Sequence, residues 1–106
     1  MNKTPQYNVV VSDRAKDMLF EHARFLAQVS INAAEELFNE FEEKVSSLEE
    51  MPERYAVYIN PYIKTGKYRR FSLGNYLLGL FQVVGREVFI DLIIDVRAEN
   101  KNLPNT

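Results

Sequence analysis

Basic side chains gather around one stretch in the second half of the chain, and their type and spacing suggest chemistry. Arg69 and Arg70 are adjacent in an extended run, Lys64 and Lys67 come shortly before them, and Arg97 follows the last apolar run. Cations spaced in this way can hold a phosphate backbone or the carboxylates of a protein partner. The stretch therefore predicts contact with an anionic group.

The alternation of side chains along a strand predicts which of these residues share a face. If Phe71 faces a core, Tyr68 and Arg70 point to the opposite, open face of the sheet, and Tyr76 and Arg97 are expected on that face as well. The partner-binding surface predicted from the sequence consists of Lys64, Lys67, Tyr68, Arg70, Tyr76 and Arg97.

Two carboxylates on the last run offer a purely structural alternative for these cations. Asp91 and Asp95 could pair with Arg70 and Arg97 across the same face, which would leave the cations without a functional role. The two carboxylates would lie about 13 Å apart at a rise of about 3.3 Å per residue. That distance is too long for one metal ion or a shared proton, so a paired-carboxylate hydrolase is not expected.

Other chemical signatures are missing from the sequence. There is no cysteine, no glycine-rich phosphate loop, no nucleophile elbow and no zinc-ligand spacing. The one histidine, His22, falls on or beside the apolar stripe of a predicted helix, where a boundary residue is expected more often than a catalytic base. We expect no metal and no cofactor.

Length and charge set further bounds. A chain of 106 residues predicts a single domain, residues 1–106, with a polar tail at 97–106. The N-terminus shows no signal-peptide pattern and no run of about 18 apolar residues exists, so we expect a cytoplasmic protein without a membrane partner. Residues 1–54 carry a net charge of −5 and residues 55–106 a net charge of +3. An anionic partner is therefore expected on the second half.

Residues 67–97 predict three strands. Turn signals at residues 73–75 and 85–86 separate three apolar runs, and neither gap has room for a helix, so the strands must pair as an antiparallel meander. The last run alternates. Its even-numbered residues from Val88 to Val96 are predicted to form one apolar face, with Asp91, Asp95 and Arg97 on the other.

The first half of the chain predicts a strand and two helices. Residues 7–11 are β-branched, and Ser12 and Ser30 are plausible N-caps of helices over about 13–29 and 31–50. Pro52 prevents the second helix from continuing. The apolar stripe predicted for the first helix is Ala15, Met18, Leu19, His22, Phe25, Leu26 and Val29, and that of the second helix is Ala34, Leu37, Phe38, Phe41, Val45 and Leu48.

These elements predict a two-layer α+β fold. An N-terminal strand is followed by an antiparallel helix hairpin that packs on one face of the three-stranded meander. The first strand should join the sheet near the final strand. A short edge strand at residues 55–59 is a further candidate.

In this order of elements the chain resembles the RelE/ParE superfamily of type II toxin–antitoxin toxins, also described as plasmid stabilisation proteins. The resemblance rests on YNVVVSDRAKDML, on LEEMPERY, on KYRRFSLGNYLLGLFQV and on VFIDLIIDVRAENKN, and it covers nearly the whole chain. It implies a toxin that a cognate antitoxin neutralises by wrapping around it. A homodimer or a heterotetramer with the antitoxin is compatible with the family pattern.

Two branches of the superfamily imply different activities. RelE-like members cut mRNA on the ribosome with Lys and Arg on the sheet face, and on that alternative Arg69, Arg70 and Arg97 are the catalytic candidates. ParE-like members act on DNA gyrase. Here Leu77 and Leu78 follow Tyr76, where RelE-like members place an Arg, and no aromatic residue follows Phe89. The sequence thus favours the ParE-like branch, and a partner-binding protein without toxicity on the same fold stays a third alternative.

Overall fold

A four-stranded sheet with two helices packed on one face makes up the structure, a computed structural model that describes residues 6–64 and 66–97. The elements are β1 (Asn8–Val11), α1 (Asp13–Ala27), α2 (Ile31–Glu50), a 3₁₀ turn (Pro52–Arg54), β2 (Arg69–Leu73), β3 (Leu77–Val84) and β4 (Glu87–Asp95). The strand order is β1-β4-β3-β2, with β1 parallel to β4 and the other neighbours antiparallel. The predicted α+β fold and the meander are confirmed, and β1 joins the final strand as expected.

Serine caps begin both helices, as the sequence predicts. The Ser12 hydroxyl accepts a hydrogen bond from the Ala15 amide at 2.9 Å, and Ser30 does the same for Ala33 at 3.2 Å. Each cap satisfies an amide that the first turn of a helix leaves unpaired. None of the helices within the described residues has the length and apolar character needed to cross a membrane.

The apolar stripe of α2 is confirmed, whereas that of α1 is partly wrong. Phe25 is 61% exposed and Val29, which lies beyond the end of α1, is 86% exposed. Ala23 is buried in their place, on one line with Ala15 and Leu19. Ala15 and Ala23 have small side chains, which can lie close to a neighbouring element. Phe25 is two residues from Ala23, about 200° around the helix, and so points away from this buried line.

A β-bulge in β4 overturns the predicted alternation of its last residues. Leu80 pairs with Leu92 and Phe81 with Ile90, so Asp91 is an extra residue without a partner in β3. An added residue reverses the alternation beyond it. Ile93 therefore packs in the helix-side core, while Leu92 and Ile94, predicted for that core, contact the cluster on the opposite face.

The sheet face opposite the helices is partly covered, contrary to the expectation of an open face. Residues 55–64 run beside β2, where Tyr58 donates a backbone hydrogen bond to Tyr68 at 2.8 Å and Arg70 donates one to Ala56 at 3.0 Å. The predicted edge strand at 55–59 is present as one bridge, between Val57 and Arg69. Tyr58 of this segment is buried together with Tyr68 and Leu80 of the sheet side. The residues packed around these three are Ile63, Leu78, Leu92 and Ile94.

Candidate functional site

The structure divides the six predicted partner-binding residues into two groups. Tyr76 and Arg97 lie where the β2–β3 hairpin meets the end of β4, because Leu77 pairs with Leu73 on one side and with Asp95 on the other. Lys64, Lys67, Tyr68 and Arg70 lie at the start of β2, beside the segment that covers the sheet. The expectation that Tyr68, Arg70, Tyr76 and Arg97 share one open face is wrong, because Tyr76 packs against the helix-side core and the bulge in β4 reverses the direction of the residues after Asp91.

Arg97 and Tyr76 form a stacked pair on the helix side of the sheet. The guanidinium of Arg97 lies 3.5 Å from the centroid of the Tyr76 ring, and Tyr76 packs against the helix-side core. Arg97 also donates hydrogen bonds to Asp95, with Nη2 3.1 Å from Oδ2. These hydrogen bonds raise the pKa of Arg97, so the side chain remains a fixed cation. The predicted pairing of Arg97 with Asp95 is confirmed.

A groove of about 320 Å³ opens beside this pair, between α2 and the β2–β3 hairpin. Its apolar wall is formed by Leu26, Ala33, Leu37, Leu73 and Leu77. Glu36 and Glu40 form the rim on α2, and Tyr76 lies on the hairpin side. The Gly74 amide donates a hydrogen bond to Glu40 at 2.8 Å, which ties the turn to α2.

Tyr68 supports its surroundings and is not a surface contact. Its side chain is 8% exposed, and its hydroxyl donates a hydrogen bond to Asp91 at 3.0 Å. Burial and then the contact with Asp91 raise the pKa of Tyr68, so the hydroxyl keeps its proton. Lys67 lies over the same ring, with its ammonium 5.3 Å from the centroid. Lys64 and Arg70 are exposed, as a binding role requires.

Asp91 accepts hydrogen bonds from neutral groups and makes no ion pair with Arg70. Besides Tyr68, its carboxylate receives the Gln82 amide at 2.7 Å, and within residues 6–64 and 66–97 Arg70 has no ion pair at all. The predicted Arg70–Asp91 pair is therefore wrong, because the bulge aims Asp91 at Tyr68 and Gln82. A cleft of about 260 Å³ beside Asp91 also involves Ser12 and Arg14.

The three arginines considered for ribonuclease chemistry do not converge. The Arg69 guanidinium is half-buried and donates a hydrogen bond to the Tyr55 carbonyl at 2.6 Å. Arg70 points to the opposite face of β2. Arg97 lies near the other end of that strand, because it follows Asp95, which is aligned through β3 with the last residue of β2. Cations that stabilise one transition state must reach the same developing charge. No such point is visible between these three residues.

The acidic rim of the groove was not part of the predicted site. Glu36 and Glu40 lie outside the apolar stripe predicted for α2, yet both line the groove. A signal was available in the spacing, because Glu36 and Glu40 lie one helical turn apart and flank the stripe residue Leu37. The hairpin contact of Glu40 depends on tertiary packing.

Comparison with known proteins adds two findings. The family model described as the ParE toxin of type II toxin–antitoxin system, parDE, matches residues 9–102. A solved structure of the chromosomal ParDE TA system from P. aeruginosa has a similar fold, with a TM-score of 0.65 and 16% sequence identity over 87% of this chain and 98% of that chain. No curated protein matches the sequence. At 16% identity, the structural similarity shows a shared fold and nothing further.

Proposed function

Since this chain belongs to the ParE toxin family of type II toxin–antitoxin systems, we propose that a cognate antitoxin neutralises it by occupying the groove between α2 and the β2–β3 hairpin. The family match covers residues 9–102 and confirms the resemblance seen in the sequence, including the ParE-like branch. A toxin of such a system implies an antitoxin partner.

The shape and lining of the groove carry the proposal. It is open to solvent along α2, and its wall is made of leucine and alanine side chains between two polar rims. An amphipathic helix can place its apolar face in such a groove, with anchor residues one helical turn apart. The tail of an antitoxin is expected to be disordered when free and to fold on this surface.

The rims predict the charges of the antitoxin helix. Glu36 and Glu40 face the groove from α2, so basic residues are expected on the side of the tail that contacts α2. Arg97 lies beside Tyr76 at the other rim and is fixed by Asp95. An acidic residue of the tail could join that cation, since Arg presents several donors in one plane.

The sheet has one edge suited to an added strand. Val57 and the neighbouring backbone already pair with the outer side of β2. At the other end of the strand order, β1 pairs with β4 on one side, and within the described residues no further strand lies beside it. An extended part of the antitoxin could add to β1 through backbone hydrogen bonds.

The cellular target is proposed by analogy. The ParE-like branch implies DNA gyrase as the target, and the RelE-like branch implies the ribosome. The scattered positions of Arg69, Arg70 and Arg97 give no support to ribonuclease chemistry. We therefore propose a toxin that acts by binding its target, without cutting RNA.

Filling the groove tests the antitoxin proposal. An Ala33→Trp variant places a large ring where the groove needs a small side chain, and the helix cap is retained because Ser30 binds the backbone of residue 33. Calorimetric titration with the cognate antitoxin should show binding weakened at least about tenfold. The unaltered protein should bind with a large negative heat-capacity change, the mark of coupled folding.

A Glu35→Trp variant is the matched control, because Glu35 is exposed on the same helix and does not line the groove. It should bind like the unaltered protein. If Ala33→Trp binds as tightly as Glu35→Trp while both melt normally, the groove is not the antitoxin site.

A further inference from the structure

We propose that residues 54–64 and 66–70, here called the basic lobe, form a second binding surface that takes an acidic, amphipathic segment of a protein partner. This surface is separate from the groove and carries Lys64, Lys67 and Arg70, three exposed residues of the predicted binding set that do not line the groove. The inference goes beyond antitoxin binding and depends on the lobe alone.

Charge is segregated strongly onto this part of the chain. Residues 54–86 contain six Lys and Arg and no Asp or Glu. Five of the six belong to the basic lobe, and of these Arg54, Lys64, Lys67 and Arg70 are exposed, whereas Arg69 is half-buried on the other face of β2 from Arg70. The two helices, in contrast, contain ten Asp and Glu against four Lys and Arg. A surface of one sign attracts partners of the opposite sign and helps to exclude others.

The same segment carries large exposed apolar side chains. Ile59 is 80% exposed, Tyr62 is 75% exposed and Val57 is 37% exposed. The backbone that carries them is held in place, because the Tyr62 amide binds the Asn60 side chain at 2.8 Å and the Ile63 amide binds the Asn60 carbonyl at 3.1 Å. Tyr58 and Ile63 anchor the same segment in the cluster with Tyr68. Exposed apolar side chains on a segment that also carries cations are typical of a protein-binding surface.

The basic lobe and the groove lie at opposite ends of β2. Arg69 begins that strand beside the lobe, and Gly74, which lines the groove, follows its last residue. Five residues at about 3.3 Å each separate the two ends by about 17 Å. A helix seated in the groove therefore leaves the lobe accessible, so the two surfaces can be occupied by different segments.

A protein segment fits this surface better than a nucleic acid does. The whole chain has a formal net charge of −2, so a long polyanion that extends past the lobe meets repulsion from the acidic helices. Of the three exposed apolar side chains of the lobe, Ile59 and Val57 are aliphatic, so Tyr62 is the single ring among them that could stack on a base. They match apolar side chains set between carboxylates on a polypeptide.

Chemical-shift mapping by NMR with three probes tests the proposal. The probes are a short synthetic peptide of alternating glutamate with leucine and phenylalanine, the same peptide with serine in place of its apolar residues, and a single-stranded oligonucleotide of matched charge. At about 0.15 M salt, where charges are screened beyond about 8 Å, the first peptide should shift the amides of the basic lobe and bind more tightly than the other two probes.

Two variants and one control complete the design. Charge reversal in a Lys67→Glu, Arg70→Glu double variant should weaken binding of the first peptide at least about tenfold. An Ile59→Ser, Tyr62→Ser double variant should also weaken binding of this peptide, without a change in the charge of the protein. Arg86→Glu, at an exposed residue in the β3–β4 turn, should leave binding unchanged. Equal binding of the serine peptide, tighter binding of the oligonucleotide, or shifts confined to the groove would each overturn the proposal.

Discussion

At the scale of single residues, the contacts of Asp91 hold the bulge in place. Its carboxylate accepts hydrogen bonds from Tyr68, the residue before β2, and from Gln82 of β3, so one side chain of β4 holds both segments on the face opposite the helices. These bonds also give the added residue of the bulge a structural role. The Tyr68 hydroxyl matters most here, because it is the buried member of the set.

A Tyr68→Phe variant should lose about 1.5 kcal/mol of unfolding free energy at neutral pH, as expected for a hydrogen bond to a charged acceptor. The pKa of Tyr68 is raised above its usual value of about 10 in the folded protein. A raised pKa gives stability that is present below about pH 10 and is lost as the pH rises through the folded value. Urea melts of the unaltered protein and of Tyr68→Phe should therefore show that the difference in their free energies of unfolding becomes smaller above about pH 10.

Tyr55 supplies a control with the opposite sign. Burial raises its pKa, but hydrogen bonds with Ser47 and Arg54 and the nearby charge of Lys44 outweigh burial, so the pKa is lowered. The difference in the free energy of unfolding between the unaltered protein and Tyr55→Phe should become larger as the pH rises toward 10. Parallel pH curves for the two Phe variants would contradict the assignment of these two pKa shifts.

At the scale of secondary structure, the two helices differ in how well their apolar pattern reports burial. In α2 the predicted stripe faces the sheet, and the Phe41 ring lies 6.3 Å from the Phe71 ring. In α1 the line through Ala15, Leu19 and Ala23 is buried, while Phe25 faces outward. Small residues at the closest approach have a weak apolar signal, so a pattern of large side chains misplaces the buried face.

Paired substitutions separate these two positions. Phe41→Asp should destabilise the domain by at least about 3 kcal/mol, because it removes a packed ring and places an unpaired charge against the core. Phe25→Asp should change the free energy of unfolding by less than about 0.5 kcal/mol, as is usual for exposed sites. Thermal melts monitored by circular dichroism measure both. A normal melting midpoint for Phe41→Asp would refute the packing of α2 on the sheet.

At the scale of the whole molecule, the proposed binding residues are distributed over two ends of the sheet. The groove, Tyr76 and Arg97 lie at the hairpin end, and the basic lobe lies at the start of β2. A small toxin with two separate surfaces can be recognised by an antitoxin and by a further partner without direct overlap. Among the candidate cations, Arg69, Arg70 and Arg97 do not converge on one point.

Purified protein added to translating ribosomes should therefore produce no mRNA cleavage. The reason is that Arg69 and Arg70 point to opposite faces of β2 and Arg97 lies near the other end of that strand, together with the leucines at 77 and 78. Mapping of mRNA ends by primer extension is the measurement. Codon-specific ends that disappear in an Arg70→Ala, Arg97→Ala double variant would establish the RelE-like alternative in place of the proposed one.

The local elements and the family could be predicted from the sequence. Strand and helix periods, the caps Ser12 and Ser30 and the hairpin turns act over a few residues, so they are visible in the order of the amino acids. The ordered set of motifs was enough to indicate a ParE-like toxin, which the match over residues 9–102 confirms. The candidate cations were also visible, as was the pairing of Arg97 with Asp95.

Tertiary structure alone decided how these residues are grouped. The bulge at Asp91 depends on the pairing of β4 with β3, and a single added residue reversed the faces of Leu92 and Ile93 and separated Arg97 from Arg70. The cover over Tyr68 depends on contacts between segments ten residues apart in the chain. Local sequence patterns determine whether a segment forms a strand or a helix. Pairing between segments, which a local pattern does not record, decides which face each side chain occupies and how far apart the sites lie.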